Sequence, residues 1–106
     1  MAKDDMAQLP VLDNTPADPA AFDRYYHEIH IATAKKIPGL RSYRISNGPV
    51  QALAGTAPHL VAILDFDSMA DLGAALASAE GQAAAADVAN FACAGATLLI
   101  YDSRPV

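Results

Sequence analysis

The segment TPADPAAFDRYYHEIHIATAKKIPGL, residues 15–40, constrains the fold of this chain most, because both its ends are marked and its middle carries one apolar stripe. Asp18 suits the N-cap of a helix, whose first N–H groups need an acceptor, and Pro19 suits the first helical position, where no N–H is required. Pro38 and Gly39 stop the helix just after Lys35 and Lys36, whose charges complement the free carbonyls of the last turn. At about 100° per residue, Phe22, Tyr26, Ile29 and Thr33 share one narrow stripe, with His30 and Ile37 on its flank and His27 turned toward solvent. Thr33 thus stands at the centre of the expected buried face, where a hydroxyl packs less well than a leucine. A helix with one apolar face needs a layer to lie on.

The flanking segments supply a sheet. QLPVLDN, residues 8–14, is a short apolar run bounded by turn residues and reads as a first strand, although Pro10 within it cannot donate to a ladder. LRSYRIS alternates, with Tyr43 and Ile45 on one face and Ser42 and Arg44 on the other. NGPVQALAGTAP is a turn-rich link, and HLVAILDF is a strand apolar on both faces, hence central. Ser68, with Asp71 three residues on, opens the helix MADLGAALA in the manner of a capping box. SAEGQAAAADVANFA reads as a second short helix, ATLLIYD as the final strand and SRPV as a tail. The order β-α-β-β-α-α-β is the α+β, ferredoxin-like split βαβ pattern, with helices on one face of a four-stranded antiparallel sheet. The other face carries apolar residues and needs a cover. A second copy of the chain is the economical one, giving a homodimeric two-sheet α/β barrel.

Composition narrows the function classes. A chain of 106 residues, 53% apolar and 18% charged, is expected to form a single globular domain spanning residues 1–106. The net charge is −5 and the seven Lys and Arg form no cluster beyond Lys35-Lys36, which argues against a nucleic-acid partner. No apolar run approaches the roughly 20 residues that span a bilayer. The N-terminus MAKDDMAQLPV lacks the basic and apolar regions of a signal peptide. The lone cysteine, Cys93, permits neither an internal disulfide nor a multi-thiolate metal site. The expectation is a cytoplasmic protein with a reduced thiol and no membrane partner.

Taken together and in this order, FDRYYHEIHIATAKKIPGLRSY, LVAILDFDSM and SAEGQAAAADVANFA resemble the EthD-like family of dimeric α/β barrel proteins. The resemblance covers nearly the whole chain from Thr15 onward. It implies a homodimer with a small-molecule pocket in each subunit between the first helix and the sheet, of the kind used in catabolic or polyketide-type pathways. The family's helix-borne histidine corresponds to His30, and no metal or organic cofactor is implied. Three positions depart from the family pattern. Ala32-Thr33 replace a Pro-Leu-like pair after the histidine, Asp13 replaces an aromatic or apolar residue at the end of the first strand, and Cys93-Ala94 follow NFA in place of Gly or Asp. Their apparent convergence on one pocket suggests a site remodelled by design on this scaffold.

First and last strands are antiparallel neighbours in such a sheet, so Asp13 is expected near Cys93, under the first helix. Phe22, Tyr26, Ile29, Thr33 and Ala94 are then the expected pocket lining. A thiolate formed by a neighbouring imidazole is a nucleophile, which points to cysteine-dependent ester hydrolysis: Cys93 attacks, His30 serves as base and then acid, and Asp13 orients the ring. Backbone N–H groups of the Ala94-Gly95 turn supply the oxyanion donors. A second reading uses no thiol: Asp13, desolvated in an apolar pocket, abstracts a proton from carbon. A third is an accessory or binding protein without catalysis of its own. Blander roles stand beside these: Cys93 as a small buried hydrophobe, Asp13 as a turn cap, His30 as a core-edge histidine bonded to a carbonyl, His59 as a strand end or substitute base. His27 reads as a surface residue, Tyr25 and Tyr26 as core, and Asp65 and Asp67 as the end of a strand and start of a helix.

Overall fold

The computed structural model describes residues 5–106. Strand β1 (Met6–Asp13) is followed by α1 (Pro19–Tyr25), a π turn (Tyr26–His30) and α2 (Ile31–Ala34), which run as one helical rod. Strands β2 (Ser42–Ile45) and β3 (Leu60–Phe66), helices α3 (Met69–Ala77) and α4 (Ala79–Phe91), and strands β4 (Ala96–Leu98) and β5 (Tyr101–Ser103) complete the chain. The caps fall as expected: Asp18 accepts from the Ala21 N–H and Ser68 from the Asp71 N–H, each at 3.1 Å. Ser78 ends α3 and begins α4, donating to the Ala75 carbonyl and accepting from the Gly81 N–H. Gly81 is required there, because a Cβ would sit 1.9 Å from the Ala75 carbonyl oxygen.

The sheet is antiparallel in the order β2-β3-β1-β4, with β5 also on β1. It is the ferredoxin-like α+β fold, and β4 and β5 are two pieces of the single last strand anticipated from the sequence. Both meet β1 in one unbroken register, Ala96 opposite Asp13 and Ser103 opposite Met6. Pro10 makes the gap between them. The Leu99 N–H donates to the Pro10 carbonyl at 3.0 Å, and the reciprocal bond is the one a proline cannot make. The central strand thus absorbs its proline by losing one ladder bond rather than by bulging.

Strand alternation sorts the sheet into two faces. Ala7, Leu9 and Asp13 of β1 and Leu60, Ala62, Leu64 and Phe66 of β3 are buried beneath the helices with Phe22, Tyr26, Leu72 and Phe91. The opposite face carries Leu12, Val61, Ile63 and Leu99, none of them fully buried. No described helix is long and apolar enough to cross a membrane.

Candidate functional site

Helices and sheet enclose a cavity of about 60 Å³ with Leu9, Val11 and Asp13 on its floor, Tyr26 and His30 on one wall and Phe91 on another. Leu98 also lines it and is 47% exposed, so the cavity reaches the surface beside β4. The last inward position of β1, after Ala7, Leu9 and Val11, is a carboxylic acid. Asp13 is 1% exposed, and neither of its oxygens has a hydrogen-bond partner among the described residues. Burial pushes its carboxyl up to about 6 from an ordinary 3.8, against an opposing pull from nearby His59. The Tyr26 and Tyr43 hydroxyls that line the same cavity bond to one another at 2.6 Å and leave Asp13 unserved. The expected turn-capping role of Asp13 is therefore absent.

His30 enters the cavity because of the π turn. Phe22, Tyr26, His30 and Ala34, all buried, are spaced by four residues, a spacing that drifts by about 40° per step in a regular α-helix. The Ile31 N–H reaches back five residues to the Tyr26 carbonyl, and this extra residue in the turn corrects the drift. The regular-helix stripe is overturned in its second half: Ile29 is 45% exposed, and the half-buried Thr33 donates its hydroxyl to the Ile29 carbonyl at 3.2 Å. The apparent misfit of a hydroxyl in the core disappears, since Thr33 serves its own helix.

His30 is oriented by Asp87 of α4, not by Asp13. Its Nδ1 lies 2.8 Å from Asp87 Oδ2, while Asp87 Oδ1 accepts from the Tyr25 hydroxyl at 2.5 Å and from Asn90 Nδ2 at 3.0 Å. Burial works to raise the Asp87 carboxyl, but these bonds together outweigh it and hold the group below the ordinary carboxylate range. An ionised carboxylate only accepts, so the His30 Nδ1 carries the proton of that bond and Nε2 is the free ring nitrogen. Asp87 belongs to none of the motifs that mark the other site residues in the sequence. The available signal was Asp87 and Asn90 three residues apart, sharing one face of an alanine-rich helix.

Cys93 is not at this cavity. Its region does lie beside the end of β1, with the Asn14 N–H on the Gly95 carbonyl, but the thiol is exposed and lines an outer cleft with Pro16, Asp18 and Tyr25. Ala94 is exposed too, and the Gly95 N–H is spent on the Ala92 carbonyl at 2.9 Å, so neither a nucleophile nor its oxyanion donors face His30. The reason is local: α4 ends at Phe91, which takes the buried position, and the chain turns outward before re-entering the sheet at Ala96. Phe22 is buried with its ring edge-on to both Phe91 and His59. His59 pairs with Asp23 at 2.8 Å, and His27 is exposed. Asp65 lies within β3, bonded by Gln8 and Ser42, and Asp67 pairs with Arg41. No group of three or more His, Cys, Asp or Glu among the described residues is placed to hold a metal ion.

The EthD domain pattern matches residues 14–94, well over half of the chain. This chain belongs to the EthD family. An uncharacterized 11.0 kDa protein from the thcB-thcC intergenic region of Rhodococcus erythropolis is 44% identical over 103 residues, covering 95% of this chain and 98% of that one. A crystal structure of an EthD family protein from Bacillus halodurans superposes with a TM-score of 0.84 at 29% identity, over 93% of this chain and 99% of that one. At 16% identity the likeness is one of fold alone. It extends to a dimeric ferredoxin-like protein of Thermobifida fusca (TM-score 0.68, 95% and 93% covered) and to SnoaB, a cofactor-independent oxygenase of Streptomyces nogalater (0.63, 97% and 96%). The expectation of an EthD site remodelled by design is not borne out. Of its three departures only Asp13 faces the cavity, whereas Thr33 bonds its own helix and Cys93 lies outside.

Proposed function

We propose that this EthD protein holds a compact, mostly apolar small molecule in the cavity between helices and sheet and transfers a proton on it, with Asp13 as the general base. One observation carries the reading: a carboxyl group 1% exposed, whose two oxygens have no partner among the described residues, lines a mostly apolar cavity. Burying such a group without a hydrogen bond costs on the order of several kcal/mol, a penalty that a folded domain retains where the group acts on a ligand. Its raised pKa also makes it a stronger base than an ordinary carboxylate once it is ionised near neutral pH. Cysteine-dependent hydrolysis gains no support from the geometry, because Cys93 is exposed and away from His30.

5-Nitrobenzisoxazole provides a direct test, since a base that removes its ring C–H opens the N–O bond and releases a coloured nitrophenolate. Wild-type protein should open it faster than buffer, Asp13→Asn should lose on the order of 10²-fold, and Cys93→Ala should behave as wild type. Equal rates for wild type and Asp13→Asn would sink the proposal. The same unpartnered carboxyl in a mostly apolar cavity also suits a non-catalytic, accessory binding role, the second reading. In that case Asp13→Asn changes ligand affinity and there is no turnover to lose.

The working unit in this reading is a homodimer in the cytoplasm. The uncovered sheet face with Leu12, Val61, Ile63 and Leu99 is the surface that a second copy would cover. Light scattering should give twice the chain mass, and Ile63→Arg should return a monomer.

A further inference from the structure

The site contains a second group able to move a proton, held with care that ordinary packing does not require. Asp87 takes three hydrogen bonds, from Tyr25, Asn90 and His30, and contributes nothing to the cavity lining itself. Its effect is to commit His30 Nδ1, so that the ring can exchange a proton with a ligand only at Nε2. His30 lines the same cavity as Asp13, with the Phe91 ring 4.5 Å and the Tyr26 ring 5.1 Å from its own. Among the described residues no lysine or arginine lines that cavity to compensate an anionic ligand, and Asp13 would repel one.

Resting on the proton-transfer reading above, we infer that the cavity takes an uncharged keto–enol compound, exchanging its carbon-bound proton with Asp13 and its oxygen-bound proton with His30 Nε2, while Asp87 positions His30. From the enol, Nε2 takes the O–H proton, the electron pair moves through the oxygen to form the carbonyl, and the Asp13 carboxyl delivers its proton to carbon. One O–H bond of the ligand is broken and one C–H bond is formed. From the ketone, the Asp13 carboxylate takes the C–H proton and the doubly protonated His30 returns one to oxygen. The sum is a tautomerisation that needs no oxidant and leaves both groups ready for the reverse step. The transient positive charge on His30 faces the Asp87 carboxylate, so Asp87 is a positioning residue with an electrostatic role, and Asp13 and His30 are the catalytic pair.

Cyclopentanone in deuterated water is the probe, with deuterium uptake at its α-carbons followed by NMR and the tautomer of ¹⁵N-labelled His30 read in parallel. The expected result has three parts. Wild type accelerates uptake over buffer; Asp13→Asn and His30→Gln each lose about 10²-fold; Asp87→Ala both slows uptake and shifts the His30 proton from Nδ1 toward Nε2. Asp87→Asn, which keeps the side-chain volume, covers the case in which the alanine variant fails to fold and should slow uptake without the charge. Uptake and tautomer both unchanged in a folded Asp87 variant would overturn the inference while leaving Asp13 as base. 5-Nitrobenzisoxazole opening without cyclopentanone exchange would overturn the ligand class alone, and failure of wild type on both probes would remove the underlying reading as well.

Discussion

Two carboxyl groups beside one cavity have opposite fates. Asp13 ends a β-strand with its side chain under the helices, has no hydrogen-bond partner among the described residues and is pushed up to about 6. Asp87 sits on a helix face with a side chain 12% exposed, accepts three hydrogen bonds and is held below the ordinary range. Both feel desolvation, and the difference lies in the donors within reach. An unserved carboxyl becomes a group that titrates at about 6, whereas a served one becomes a fixed charge that orients a neighbour. In the proposed function the pair divides acid–base work between residues of one type.

The comparison breaks most readily at Asp13. Its replacement by asparagine should abolish proton transfer on a carbon acid, by about 10²-fold or more, while ligand binding persists; full activity in the variant would remove the functional half of the contrast. The next largest effect is on stability. The folded-state pKa of Asp13 lies above its unfolded value of 3.8, so the native state holds this proton more tightly. The stability linked to it is present below pH 3.8 and is lost as the pH rises through about 6. Urea titrations should show Asp13→Asn gaining on wild type by about 3 kcal/mol between those limits, and parallel pH profiles would disprove the linkage.

At Asp87 the sign reverses: its depressed pKa contributes stability above the unfolded value, lost as the pH falls through the folded one. Asp87→Ala should destabilise at neutral pH by about 2 kcal/mol, because the His30 Nδ1–H and the Tyr25 hydroxyl both lose their acceptor. A thermal midpoint equal to that of wild type would show that the two donors find other partners. The smallest effect belongs to Cys93. Its replacement by serine should change stability by less than about 0.5 kcal/mol, and the exposed thiol should alkylate fully in native protein. Protection from alkylation would place it in contacts absent from a single chain.

How much was legible differs by element. Helix starts at Asp18 and Ser68 were readable because a cap is a local bond between a side chain and an N–H three residues on. The strand alternation of β2 was readable because the side-chain period is fixed by the backbone, whereas β3 is apolar on both faces and shows its buried face only in the fold. The second half of the first helix was misread at Ile29 and Thr33, since a regular period was assumed across a π turn. Asp13 was picked out as an acid among apolar residues, and its pairing with the start of the last strand was correct to the region. His30 was placed at the site, but with the wrong partner. Cys93 was drawn inward by the same strand adjacency, which brings backbones together without saying which way a loop side chain points.

The sequence by itself determined the order of elements, the caps, the alternation of β2 and the membership of the EthD family, because these depend on neighbours within a few residues or on a pattern running the length of the chain. Only the tertiary structure decided that Tyr25, His30, Asp87 and Asn90 form one network and that Asp13 has no partner among the described residues. Those outcomes depend on residues as many as 65 positions apart, brought together by packing α4 against the π turn over the sheet. A hydrogen bond forms within about 3 Å, and no local propensity measures that distance across a core.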